Sequence, residues 1–140
     1  MSKSKMIDEL PEDDLKIVLS EIDFVFGKYL RAIREAKKIS IRQLAKKVNK
    51  TPTYISDIEN GNNKPPEKKL LDDIIISLEI ESYSSSIKNN LYDLAARERN
   101  DIPADIKDYI MGNETLLKII RCTKDKPNNQ QIWSQLLEKV

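Results

Sequence analysis

The stretch ISIRQLAKKVNKTPTYISDIENG, residues 39–61, decides the fold. Ser40 is a strong helix-capping residue ahead of Ile41–Val48, in which Leu44, Ala45 and Val48 fall on one face at helical spacing. Thr51 followed by Pro52 starts a second helix that runs to about Glu59, because threonine caps well and proline suits a first turn whose amide needs no partner. Asn60-Gly61 ends it, since both residues tolerate the left-handed backbone of a helix terminus. The pattern predicts two short helices. Leu44 and Val48 bury the inner face of the first, Ala45 is small enough for a close crossing, and Ile55 and Ile58 bury the second.

On the N-terminal side, Leu15, Val18, Leu19, Ile22, Val25, Phe26, Tyr29, Leu30 and Ile33 recur at the spacing of one helical face. Pro11 with Glu12, Asp13 and Asp14 suits a helix start, and Ser20 with Asp23 offers a second one, so one long helix or two in series both fit. On the C-terminal side, Pro65 and Pro66 open a segment with Leu70, Leu71, Ile74, Ile75 and Leu78 on one face, closing near Ile80. Ser82–Ser86 is a polar stretch that reads equally as a junction or as a capped turn. Beyond it Ile87, Leu91, Leu94 and Ala95 mark one helix, Pro103 to Met111 another ending at Gly112, and Leu116 to Ile120 a third. Asn128 can cap a last helix carrying Ile132, Trp133, Leu136, Leu137 and Val140. No segment alternates as a strand does, so the chain reads as all-α.

The chain has 140 residues, of which 39% are apolar and 34% charged, enough apolar content to bury a core. Histidine is absent and cysteine occurs once, which removes Ser-His and Cys-His chemistry and zinc sites. Three glycines and no glycine-rich phosphate loop leave no nucleotide cradle. The composition therefore argues against an enzyme, with no catalytic residue, metal or cofactor expected. No apolar run approaches the roughly 20 residues that cross a bilayer. Lone-cysteine usage suits a reducing compartment, and a soluble, cytoplasmic protein is expected, with no membrane partner.

Charge is distributed unevenly although the net is only +1. Residues 1–22 carry a net −3 and residues 81–140 balance, whereas 28–50 hold nine basic side chains against Glu35 alone, a net of +8. A lysine-rich helix surface is often just a solvated face, but this charge is gathered at a pair of short helices, where phosphate neutralisation would supply affinity for DNA.

The same stretch resembles the helix-turn-helix of the Cro and phage-repressor (Xre) family, and the match extends over about residues 26–80 through FGKYLRAIRE and NKPPEKKLLDDI. The resemblance implies a lambda-repressor-like helix-turn-helix bundle, residues 23–81; charge and periodicity place an acidic N-terminal helical arm, residues 1–22, before it and a helical C-terminal dimerisation/regulatory region, residues 86–140, after it. It departs at the turn, where the family usually carries glycine and this chain has Asn49, a residue that tolerates the left-handed region. The resemblance turns the outward positions of the second helix, Thr53, Tyr54, Ser56 and Asp57, toward the major groove. Thr53 and Ser56 can hydrogen-bond base edges, Pro52 and Thr53 can touch a thymine methyl, and Asp57 can accept from cytosine or be a surface charge. Phosphate contacts are assigned to Arg42, Gln43, Thr51, Asn60, Asn62, Asn63 and Lys64, with the asparagines also reading as turn formers. Arg34 and Glu59 match the family's internal salt bridge.

The segment LYDLAARERNDIPADIKDYI resembles the helical extension that follows this domain in short bacterial and mobile-element regulators. Cys122, within LLKIIRCT, reads as a small buried thiol, and Trp133 with Ile132, Leu136 and Leu137 as core that also serves a dimer seam. The expected function is a sequence-specific DNA-binding transcriptional regulator, a repressor bound to double-stranded DNA as a homodimer. The rival is an antitoxin-like or adaptor protein that grips a protein partner through residues 86–140.

Overall fold

The computed structural model describes residues 25–80 and 85–140, and every regular element among them is a helix. The all-α class and the helix-turn-helix bundle are as expected. The arm assigned to residues 1–22 lies outside the described residues, as does most of the serine-rich stretch. The chain divides into two compact units, one ending at Asp105 and one running Ile106–Val140.

The first unit contains α1 (Phe26–Ala36), α2 (Ile41–Lys47), α3 (Pro52–Glu59), α4 (Lys68–Ser77) and α5 (Ser85–Arg99). Val25 is extended, with φ −113° and ψ 134°, so the apolar face that reads as continuous through Ile33 is broken there. No local side chain caps α1; instead Glu98 of α5 accepts the Phe26 amide at 2.9 Å. The ends of α1, α2 and α3 share one device, an αL residue followed by an amide that reaches back over the last turn. Lys38, Asn49 and Gly61 are the αL residues, and the closing bonds are Ile39 N–H to Arg34 O at 3.0 Å, Lys50 N–H to Ala45 O at 2.9 Å and Asn62 N–H to Asp57 O at 2.8 Å. Asn49 therefore takes the role that glycine has in the family this stretch resembles.

One core joins Phe26, Tyr29, Leu30 and Ile33 of α1 to Leu44, Ala45 and Val48, to Ile55 and Ile58, and to Leu71, Ile74, Ile75 and Leu78. Ile87, Leu91, Tyr92, Leu94 and Ala95 of α5 belong to the same core. The boundary placed at Ser82–Ser86 is thus not where compaction ends, and the extension expected to begin at residue 86 supplies the fifth helix of the bundle. The reason is that α1–α4 leave the α1 flank uncovered, and α5 closes it: Asn90 Nδ2 donates to the Tyr29 hydroxyl at 3.0 Å, and Tyr92 donates to Asp72 of α4. Burial pushes the Asp72 carboxyl up, but the hydrogen bonds from Lys68 and Tyr92 outweigh it and hold Asp72 below the usual range.

Gly27 sits where α1 crosses the end of α3. A methyl group there would press on the Glu59 carbonyl and lie 2.6 Å from the Ile58 carbonyl oxygen, both backbone atoms. Gly27→Ala gains helix propensity, yet forcing these backbones apart costs more, and a net destabilisation of about 1–3 kcal/mol is expected by urea unfolding. A variant as stable as the parent would show that the crossing is loose.

The second unit holds the end of α6 (Ala104–Met111), then α7 (Glu114–Thr123) and α8 (Asn129–Lys139). Asn113 caps α7 by accepting the Leu116 amide at 2.9 Å, whereas Asn128 stands ahead of α8 without a side-chain cap. Thr123 is the one buried residue between 106 and 140. Cys122 is exposed, contrary to the expectation of a buried thiol, because the unit is too small to enclose α7 on every side. Trp133 and Ile132 are half-buried, and Tyr109, Met111, Leu136, Leu137 and Val140 are exposed.

Candidate nucleic-acid interface

The scaffold of the interface is fixed by caps and by one buried ion pair. Ser40 and Gln43 form a reciprocal capping box on α2: Gln43 N–H donates to Ser40 Oγ at 3.0 Å and Ser40 N–H to Gln43 Oε1 at 2.8 Å. Thr51 Oγ1 accepts the Tyr54 amide at 3.1 Å, with Pro52 in the first turn of α3. Arg34 Nε donates to Glu59 Oε2 at 2.7 Å and Nη2 to Oε1 at 3.0 Å, a two-pronged bond, while Nη1 donates to Ile39 O at 2.9 Å. The hydrogen bonds to Glu59 raise the Arg34 pKa above its ordinary value. One guanidinium therefore ties α1 to α3 and to the loop entering α2.

Of the residues expected to meet DNA, Arg42, Gln43, Thr51, Pro52, Thr53, Asn60, Asn62, Asn63 and Lys64 are exposed. The Oε1 of Gln43 and the Oγ1 of Thr51 are engaged as caps, which leaves the Gln43 amide nitrogen as its outward donor. Ser56 and Asp57 are half-buried, and Ser56 Oγ accepts from Asn60 Nδ2 at 3.3 Å. Asn62 and Asn63 both donate their backbone amides to Asp57 O, at 2.8 and 3.2 Å, so the loop folds back over the end of α3. Tyr54 is half-buried like Ser56 and Asp57, and part of it packs against the margin of the core.

Two features escaped the sequence reading. Arg99 donates to Pro65 O at 2.9 Å and to Glu67 Oε1 at 3.2 Å, so α5 anchors the far end of the loop that carries Lys64. Lys50 Nζ lies 5.4 Å from the centre of the Tyr54 ring. The spacing of Lys50 and Tyr54, four residues apart across a cap, was the signal for the second; nothing local announced the first.

Five helices around one core, the second and third joined by a tight αL turn and the third presenting its first turn outward, define a helix-turn-helix DNA-binding domain. Residues 30–72 match the family model described as Helix-turn-helix, in keeping with the resemblance of this stretch to Cro and phage repressors. The Multiprotein-bridging factor 1 of Candida albicans is 29% identical over 68 residues, which cover 49% of this chain and 45% of that protein. The matched part thus spans less than half the length of this relative. No solved structure matches the chain significantly. No helix among the described residues is long and apolar enough to cross a membrane.

Proposed function

We propose that this protein is a sequence-specific transcriptional regulator that acts by occupying DNA and performs no chemistry. The observation that carries the reading is the exposed first turn of α3, with Pro52 and Thr53 at the surface, held by the Thr51 cap and the Arg34–Glu59 pair. Thr53, Ser56 and Asp57 meet base edges; Arg42, Gln43, Asn60 and Lys64 meet phosphates. A regulator that acts by occupancy keeps other proteins off its site, and in this reading it is a repressor. One recognition helix reads too few base pairs for high specificity, so two copies bind a two-fold operator with their α3 helices about 34 Å apart. The exposed Tyr109, Met111, Leu136 and Leu137 of residues 106–140 support a homodimer seam in that unit. An exposed, unpaired Cys122 fits a reducing cytoplasm.

A second reading has its own support. The relative is named as a multiprotein-bridging factor, and the same exposed apolar residues suit an adaptor that grips a protein while its helix-turn-helix holds DNA.

Footprinting on the DNA flanking its own gene, followed by anisotropy on the protected duplex and on random duplex, tests the two. Thr53→Ala or Ser56→Ala is expected to reduce discrimination by about 1–3 kcal/mol for each base-edge hydrogen bond removed. Lys64→Ala is expected to lower the log–log salt slope by about one while leaving sequence preference intact. Sequence-blind, weak duplex binding together with a tight protein partner would establish the adaptor in place of the repressor.

A further inference from the structure

The net +8 of residues 28–50 is not all available to DNA. Arg34 is buried against Glu59, and Arg31 pairs with Glu35 along α1 at 3.2 Å. Lys37 Nζ donates to Glu79 O, just beyond α4, and Lys47 Nζ to Ser77 O, the last carbonyl of α4, both at 3.4 Å, so these two lysines are engaged at the C-terminal end of that helix. Lys50 is placed differently. Its backbone amide is fixed by Ala45 O at 2.9 Å, it immediately precedes the Thr51 cap, and its ammonium rests over Tyr54 in the first turn of α3. A cation within about 6 Å of a ring face is held there by the ring quadrupole.

Beside this pair opens a groove of about 530 Å³, lined also by Asn49, Lys69 and Leu70. Its carboxylates, Glu67 and Asp73, come from the segment of α4, and Glu67 is engaged by Arg99. Lys69 lies on α4 with these carboxylates, so among the described residues Lys50 is the only charge that lines the groove from the α3 side, next to the turn that the proposed function places on DNA.

We propose that Lys50 is a backbone-phosphate contact of the interface, and that Tyr54 is the positioning residue that holds its ammonium at the first turn of α3 instead of reading a base. This rests on the DNA-binding reading. It accounts for the half-buried ring, which is poorly placed to enter a groove, and for a lysine whose main chain and side chain are both restrained while its charge stays at the surface.

The test is a salt titration of the full chain on a short mixed-sequence duplex, read by anisotropy, where phosphate contacts dominate and no operator is needed. Lys50→Gln is expected to reduce the log–log slope by about one, and Lys47→Gln to leave it at the parental value. Tyr54→Phe keeps the ring and is expected to retain the parental salt slope that Tyr54→Leu loses. Tyr54→Leu is expected to weaken binding severalfold, and to weaken it no further when combined with Lys50→Gln, because the two act through one phosphate. Unchanged melting temperatures for the Lys50 and Tyr54→Phe variants show that the domain is intact. A parental slope in Lys50→Gln, or fully additive effects in the double variant, overturns the proposal. A flat salt dependence in the parent itself instead removes the DNA-binding reading beneath it.

Discussion

A fragment ending at residue 85 will fail to fold, and a fragment ending at residue 105 will fold with a cooperative transition. The first cut removes Ile87, Leu91, Tyr92 and Leu94, each at most 5% exposed. At about 1.5–3 kcal/mol for each large apolar side chain, their burial contributes roughly 6–12 kcal/mol, which rivals the entire stability of an ordinary domain, about 5–15 kcal/mol. The cut also strips the Glu98 carboxylate from the Phe26 amide and Asn90 from Tyr29. Circular dichroism and urea unfolding of the two fragments decide the matter. Sedimentation of the longer fragment then separates the roles of the two units: it is expected to be monomeric if residues 106–140 carry the dimer seam. A dimeric 1–105 fragment would place the seam elsewhere.

Arg34→Ala is expected to cost about 3–5 kcal/mol, more than any change on the reading face, because it leaves Glu59 buried and unpaired. The side chains of this pair are 8% and 2% exposed, so water cannot replace the missing partner. Arg34→Lys restores only part of the stability, since an ammonium cannot make the two parallel bonds to Glu59 and the third to Ile39 O at once. Replacing both partners, Arg34→Met with Glu59→Gln, is expected to recover stability relative to Arg34→Ala by removing the isolated charge. Thermal melting checks the series, and a mild Arg34→Ala phenotype would mean that Glu59 finds another donor. Operator preference should survive in whatever fraction stays folded, because neither side chain reaches the surface.

The helix-turn-helix was legible because its signals are local. Ser40, Thr51-Pro52 and Asn60-Gly61 act within one turn of their own backbone, and Leu44, Ala45, Val48, Ile55 and Ile58 are all buried as their spacing requires. What could not be read was which surface each amphipathic helix covers. The apolar positions of α5 announce a buried face but not a partner, and a serine-rich stretch has the same composition whether it separates domains or turns a corner inside one. Gly27 had only a weak local signal, a glycine within a helical pattern, because its role depends on a backbone that arrives some 30 residues later. Cys122 misled for the converse reason: an apolar run implies burial only where there is enough protein to do the burying. In the interface, Thr53 and Lys64 are as exposed as expected, while Tyr54 also packs against the core margin, which no pattern of polar and apolar letters encodes.

The bond from Phe26 to Glu98 has a consequence for how the protein comes into being. The first helix of the domain receives its cap from a residue 72 positions downstream, and the loop bearing Lys64 is anchored by Arg99. During synthesis at about 5–20 residues per second, the interval between making Lys64 and making Arg99 is roughly 2–7 s, and the ribosomal tunnel delays docking further. Every residue of the reading helix is thus exposed to the cell before the bundle that holds it can close. Competence to engage DNA arrives in one late step, so a chain that stalls or is clipped before α5 carries the recognition sequence without the ability to use it.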